Sequence, residues 1–471
     1  MIGLMPDARR TTFTAHMRLR SIRKTSCVIL LFVVVAFFEQ LSSHEWVRHR
    51  VLPFDPNGYY LYLPATFIYH DLGRLEFYPA LDSQYRFANG MPWYAIYDQP
   101  QTGRRLNKYP VGVAFASAPF FLIGHLVASF SRDYPPDGWS VPYQFCISMS
   151  AIVLLALGMH FAGRSLRRLF GDATAAIALL LFAFGTNLFA YSWTGAGMGH
   201  QVVFMQYAAF MWCFLRWRES YRPRYLWWMG LLLGWILITR PIDVAIALIP
   251  LFHLLALVRR QGVAALRVAL PVKALLPAVA LFCIMAAPQF LYWKWVTGHF
   301  VYFSYEGEGF HFSHPHLLDG LFSYYRGWLV YTPLALPAIA GLVFMQRQER
   351  TLAVSIGVFL ALMIYLVFSW YYWSYGWSFS CRALIEVLAV LLLPMGALGH
   401  RIRNARRPAL RAVAGVAFAA MIGLNVFQSH QFAWNMLPDG VNRAYYWRIF
   451  GKTSASDADK ALLRPRQFRY P

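Results

Sequence analysis

Runs of apolar residues long enough to cross a bilayer recur from end to end of this 471-residue chain, separated by polar stretches of very unequal length. A helix that spans a hydrocarbon core ~30 Å thick needs about 20 mostly apolar residues. The pattern predicts eleven such helices, over about 26–41, 142–163, 173–193, 201–215, 226–239, 241–258, 273–293, 328–346, 351–371, 383–399 and 412–430. A further apolar stretch, 111–130, contains Pro119 and His125 and runs into Asp133-Tyr134-Pro135-Pro136. The basic cluster RSLRRLFG at 164–171 belongs on the cytoplasmic side by the positive-inside rule. If 111–130 crossed fully, that cluster would face the wrong way, so the stretch is expected to be interfacial or re-entrant.

The other short loops that parity puts inside, RWRESYRPR, VRRQGVAALR, QRQER and HRIRNARRPALR, are all basic. This gives a basic cytoplasmic N-terminus (1–25), a membrane domain (26–430) and an outward C-terminal tail (431–471). The tail opposes the charge rule, carrying Arg443, Arg448, Lys452, Arg464, Arg466 and Arg469, but long terminal segments obey that rule least. The outer face then collects four polar regions: the loop 42–112, the turn GAGMGHQ (195–201), the loop 294–327 and YYWSYGWSFSCR (371–382). Any active site is expected there, with the loop 294–327 packed over the first loop to exclude water.

Composition agrees with a polytopic, all-α membrane protein: 58% of residues are hydrophobic and 14% charged. The net charge of +22 would suggest nucleic acid in a soluble chain, but here much of the Lys and Arg sits between apolar runs and reports orientation instead. The cysteines, five in all, form neither a disulfide framework nor a zinc spacing. The basic leader before 26–41 is not followed by a small-residue cleavage site, which suggests an uncleaved signal anchor.

Five places could carry chemistry. Asp55, in FDPNGYY beside Tyr59 and Tyr60, lies a dozen residues past the first span. It reads as a proton acceptor or metal ligand, or else as the first residue of an Asx-turn. Lys108, where the loop re-enters the interface, reads as a lipid-phosphate contact or a snorkelling lysine. His200 follows the glycines of GAGMGH and could touch a phosphate, bind a metal, assist proton transfer or cap the next helix. YEGEGFHFSHPH (305–316) sets Glu306, Glu308 and His311 near two more histidines, either as ligands for a divalent ion or as a self-satisfied loop. Arg326 and Arg382 each stand at the outer mouth of a span, which is costly unless they face a cavity or a counter-charge, and both would suit an anionic headgroup. Arg240 and Asp243, in TRPID, read as a structural pair.

These residues in this order resemble the GT-C membrane glycosyltransferases, the group that includes protein O-mannosyltransferases and bacterial aminoarabinose transferases. In that group an acidic catalytic residue follows the first span, matched here by Asp55. A Lys-Pro-Pro-like element that meets the lipid phosphate closes the loop, matched by Lys108-Tyr109-Pro110 with a changed middle residue. Where many members place a second acid, this chain has His200. GEGFHFSHPH, LFSYYRGWLVYTPL and GWSFSCR are similar to blocks in bacterial members.

The resemblance implies a GT-C-like bundle of about eleven transmembrane helices with large outward loops, in the bacterial cytoplasmic membrane. It implies inverting transfer of a single sugar from a polyprenyl-phosphate donor to a hydroxyl of a lipid, glycan or protein, on the outer face. Asp55 and His200 would be the catalytic candidates. Lys108, Arg326 and Arg382 would hold the donor phosphate, with Tyr59, Tyr60, Glu306, Glu308 and His311 on the acceptor or loop side. A divalent metal would fall to Asp55, His200 and Glu308, and membrane lipids rather than nucleic acid are the expected surroundings. A lipid-linked sugar flippase would instead carry polar groups through the midplane. A glycan ligase or polymerase would differ in using a diphosphate donor.

Overall fold

The computed structural model describes residues 23–464, so Arg9, Arg10, Arg18 and Arg20 of the leader and Arg466 and Arg469 of the tail lie outside the described residues. The described residues are mostly helical, with a single two-stranded hairpin among them. Each of the eleven expected spans overlaps a helix, some of them only in part. Seven helical stretches are long and apolar enough to cross a membrane, among them α1 (Lys24–Ser43), α3 (Gly112–Ser129), α4 (Val141–Phe170) and α9 (Val272–Thr297), where α2 is the short helix Asp55–Tyr60 that opens the first loop. This is a multi-pass membrane protein.

The helix bounds differ in places from the sequence pattern. The stretch 173–193 is helical only as α5 (Asp172–Gly185), after which Thr186 is extended and the apolar-aromatic residues up to Met198 form a short 3-10 turn and irregular backbone. Hydropathy alone cannot separate a helix from a buried loop of apolar residues. The stretch 111–130, expected to be interfacial or re-entrant, is one continuous helix, α3, with Gly112 against Thr239 and Gly124 against Tyr143 near the start of α4. Pro119 and His125 do not break it; His125 bonds the Tyr143 hydroxyl of α4 at 2.6 Å.

The remaining long helices are α6 (Gly199–Ser220), α7 (Pro223–Leu237), α8 (Leu248–Gln261), α10 (Ala335–Ser369), α11 (Leu388–Arg403) and α12 (Pro408–Ala433). The two halves of α10 meet at Glu349, whose φ −135° and ψ 56° are not helical. A side chain on Gly357 would touch Leu342, so the halves fold back on each other as the QRQER turn suggests.

Polar contacts divide the bundle into two ends. At one end, basic loops pair with scattered acids: Arg168 with Glu219 at 2.5 Å, Arg218 with Glu349 at 2.9 Å, and Arg167 through Thr25 to Asp172. At the other end the four polar regions meet. The first loop is folded around Trp139, whose indole N–H donates to Asn57, which in turn donates to the Tyr78 hydroxyl. Its hairpin, β1 (Ile96–Gln99) against β2 (Arg104–Asn107), is antiparallel with Ile96 opposite Asn107. The end of α9 and the loop after it lie on the first loop: Arg104 of the hairpin donates to the Trp295 carbonyl of α9 at 3.0 Å, and Ser304 to the Lys108 carbonyl just past β2 at 2.7 Å. The tail folds back as well, burying Tyr445, Tyr446 and Ile449 of α13 (Arg443–Ile449) in the main core.

Candidate active site

Asp55 owes its position to local backbone. Phe54 takes a left-handed φ of +52° and turns the chain sharply, and Pro56, with its fixed φ, suits the first turn of the helix that follows. The Asp55 carboxylate is thereby held in a shell of donors, two from its own loop and one from Arg382. Its Oδ1 accepts from Tyr109 at 2.5 Å and from Tyr94 at 2.8 Å, and its Oδ2 accepts from Arg382 Nη2 at 2.8 Å. Only about a fifth of the Asp55 and Arg382 side chains is exposed, at 20% and 18%.

Burial pushes the Asp55 pKa up and is the largest single influence. The Arg382 guanidinium, the Tyr109 and Tyr94 hydroxyls and the more distant Lys108 outweigh it, so the carboxyl sits below its ordinary value and stays ionised. The same burial, reinforced by the Asp55 charge, holds both phenols protonated as donors.

Beside this carboxylate lies a second ionic pair. Lys108 Nζ binds Glu308 and sits 4.9 Å from the centre of the Tyr305 ring. Behind it is a third group. Arg240 pairs with Glu386 and stands 3.0 Å from His200 Nδ1 and 3.5 Å from Asp243, while His200 Nδ1 is 3.3 Å from Glu386. Glu386 and Asp243 are fully buried. Tyr59 bridges the groups, its ring 4.5 Å from that of Tyr109 and close to Gly199, where a side chain would meet both Tyr59 and Arg240.

Asp55, Tyr59, Lys108, His200, Glu308 and Arg382 are thus brought together. Arg326 goes elsewhere, giving Nη1 to the Leu437 carbonyl at 3.0 Å and Nη2 to Asp439 at 3.3 Å, so its counter-charge is the tail. Tyr60 donates to the Gly138 carbonyl inside the first loop, Glu306 accepts from Tyr302, and His311 is held through its backbone by Ser369. Among the described residues no group of three His, Cys, Asp or Glu side chains is placed for a metal ion. Asp55, His200 and Glu308 do not fit one, because each faces a cation: Arg382, Arg240 and Lys108 respectively.

Sequence reasoning missed Glu386, counted as part of an apolar span, and the tyrosines that hold Asp55. A lone carboxylate at the mouth of a span, four residues after an arginine, was the available signal. Arg240 and Asp243 do pair, but as part of the larger group under His200.

No family model and no curated protein matches the chain. Solved structures match it in shape. ArnT from Cupriavidus metallidurans in the apo state aligns with a TM-score of 0.50 at 14% identity, over 90% of this chain and 69% of that one. The Archaeoglobus fulgidus oligosaccharyltransferase, solved with Zn and sulfate, aligns at 0.51 and 14%, over 94% of this chain. This protein has the GT-C fold. ArnT bound to undecaprenyl phosphate aligns at 0.48 and 16% identity, over 84% of this chain. The GT-C chain described here spans 64% and 69% of the two ArnT chains and 58% of the oligosaccharyltransferase.

Proposed function

We propose that the protein is a membrane glycosyltransferase that moves a single sugar from a polyprenyl-phosphate donor to a hydroxyl acceptor, on the outer face of the bacterial cytoplasmic membrane, with inversion. The observation that carries this reading is Asp55 held ionised between Arg382 and two tyrosines, next to the Lys108–Glu308 pair. The GT-C fold supports the reaction class, since its solved neighbours include an aminoarabinose transferase and an oligosaccharyltransferase. The basic loops at the opposite end support the orientation.

In the reaction the acceptor oxygen attacks the anomeric carbon from the face opposite the phosphate. The bond from that carbon to the phosphate oxygen breaks, and its electron pair leaves on the phosphate. The acceptor proton passes to the Asp55 carboxylate, Tyr94 or Tyr109 yielding its place on the oxygen. A phosphate leaving group needs cations more than a general acid, and Arg382 and Lys108 supply them as Lys108 exchanges Glu308 for the donor. Arg326, bound to the tail, has a structural part. His200, Arg240, Asp243 and Glu386 set the position of Arg382 from behind, since Glu386 anchors the same turn four residues on.

The test is transfer from a radiolabelled sugar linked to polyprenyl monophosphate, by purified protein, onto extracted envelope lipids and glycans. Transfer from the monophosphate, and none from the diphosphate, is expected. Export of the intact lipid-linked sugar without bond cleavage would point to a flippase and overturn the reading.

A further inference from the structure

A second feature lies between the helices of the bundle, apart from Asp55. An apolar cavity of about 290 Å³ opens between α6, α7, α8 and α9, walled by Phe210, Trp217, Leu233, Leu254, Val279 and Phe282 among others. Helix directions fix its depth. α6 begins at His200 beside the candidate site and α9 ends at Val296, whose carbonyl accepts from Thr102 of the first loop, so the far ends of these helices lie ~30 Å away at 1.5 Å per residue. The cavity is lined by the C-terminal half of α6, the N-terminal half of α9, α7 from Leu226 to Leu233 and the first turns of α8, so it runs from the end of the bundle remote from the site, at Trp217, Leu226 and Leu270, to the middle of the bundle at Pro250.

The charge around its mouth is one-sided. From Ser220 to Tyr305 the only acid is Asp243, which is committed to Arg240 at the site end. The helix ends and loops around its mouth carry Arg222, Arg224, Arg259, Arg260, Arg267 and Lys273, and among the described residues none of these cations has an ion-pair partner. Leu226 and Leu270 of the cavity wall stand within three residues of Arg224 and of both Arg267 and Lys273. Aromatic residues mark the same level. Trp228 is 56% exposed, and Trp227, itself 37% exposed, donates its indole N–H to the Ala274 carbonyl at 3.1 Å. Tryptophan in such a position sits at the headgroup level of a bilayer.

We propose that this is a binding site for an anionic glycerophospholipid, one acyl chain lying in the cavity and the phosphate among the cations above it. Basic residues over a gap between transmembrane helices suit an acidic headgroup. The volume, on the order of ten waters at ~30 Å³ each, suits a strand of hydrocarbon and not a headgroup. The leaflet is the one opposite the candidate site, so the lipid is distinct from the sugar donor. It would wedge α7, α8 and α9 in register with α6, whose first turn carries His200.

The test uses the full chain purified in neutral detergent and native mass spectrometry of retained lipid, after exchange into mixed phosphatidylglycerol and phosphatidylcholine. The wild type should retain phosphatidylglycerol preferentially, each cation contributing roughly fivefold. In the variant with Arg259→Gln, Arg260→Gln, Arg267→Gln and Lys273→Gln the preference should vanish while lipid is still retained. Leu251→Trp, which fills the cavity from a half-exposed position, should lower retention of both lipids. Equal retention of the two lipids by the wild type, or an unchanged preference in the charge variant, would overturn the proposal. So would complete displacement of phosphatidylglycerol by polyprenyl phosphate, which would assign the cavity to the donor. The wild-type competition decides the question even if a variant does not fold.

Discussion

Replacing Asp55 with Asn removes one oxygen and its charge and leaves the shape of the side chain almost intact, so it separates proton transfer from turn geometry. The carboxylate faces two phenols and one guanidinium, with about a fifth of its surface exposed. A fully exposed ion pair contributes ~0.2–1 kcal/mol and breaking a buried one costs ~3–5 kcal/mol. For a pair this covered, about 2 kcal/mol of stability should be lost, enough to lower the melting temperature without preventing insertion. Loss of a general base slows the chemical step ~100- to 10,000-fold. Sugar transfer by purified Asp55→Asn should therefore fall far more than its folded fraction. Azide, a nucleophile with no proton to lose, should restore part of the turnover as glycosyl azide. Azide should do nothing for Arg382→Gln, where, under the proposed chemistry, the missing group would face the leaving phosphate. If Asp55→Asn transfers sugar within a few-fold of wild type, or if its loss tracks unfolding and azide brings no recovery, Asp55 is a structural residue and the proposed chemistry is wrong.

Three further outcomes are expected. Glu308→Gln should lower KM for the lipid donor, because Lys108 no longer has to release a carboxylate, while Lys108→Gln should raise it; steady-state kinetics with a titrated donor reads both. Glu386→Gln should destabilise more than Asp55→Asn, by ~3–5 kcal/mol, because it leaves Arg240 with Asp243 alone in a fully buried position; thermal melting in detergent compares the two. The pH profile follows from Asp55, whose folded pKa lies below its ordinary value of 3.8. The Asp55 pairing is complete above that value and is lost as pH falls through the lower, folded one. No acid limb from Asp55 should then appear in activity between about pH 5 and 8, and stability should drop only below about pH 4.

The helices were legible because a membrane span is read from length and composition alone, two quantities any single sequence carries. That reading overran at 186–193, where apolar and aromatic residues are buried as a short 3-10 turn and irregular backbone. Asp55 stood out by its place after the first span. Its partners did not, because Arg382 lies 327 residues away and no local pattern records such a contact. Arg326 illustrates the same limit in reverse. A buried guanidinium at the mouth of a span requires a counter-charge, and the sequence could not say that Asp439 in the tail, rather than a phosphate, supplies it.

The Lys108–Glu308 pair has a consequence for turnover. A donor phosphate esterified on both sides carries a single negative charge, whereas the phosphate monoester left behind carries ~1.5–2 at pH 7. Two fixed cations would therefore hold the spent lipid more firmly than the fresh one, and the enzyme would stall on its own product. Glu308 stands within reach of Lys108 to take back that cation once the sugar has gone. Under the proposed function, the carboxylate that weakens donor binding would then be the group that expels spent carrier, and the cycle would be driven forward at its last step by an anion belonging to the protein.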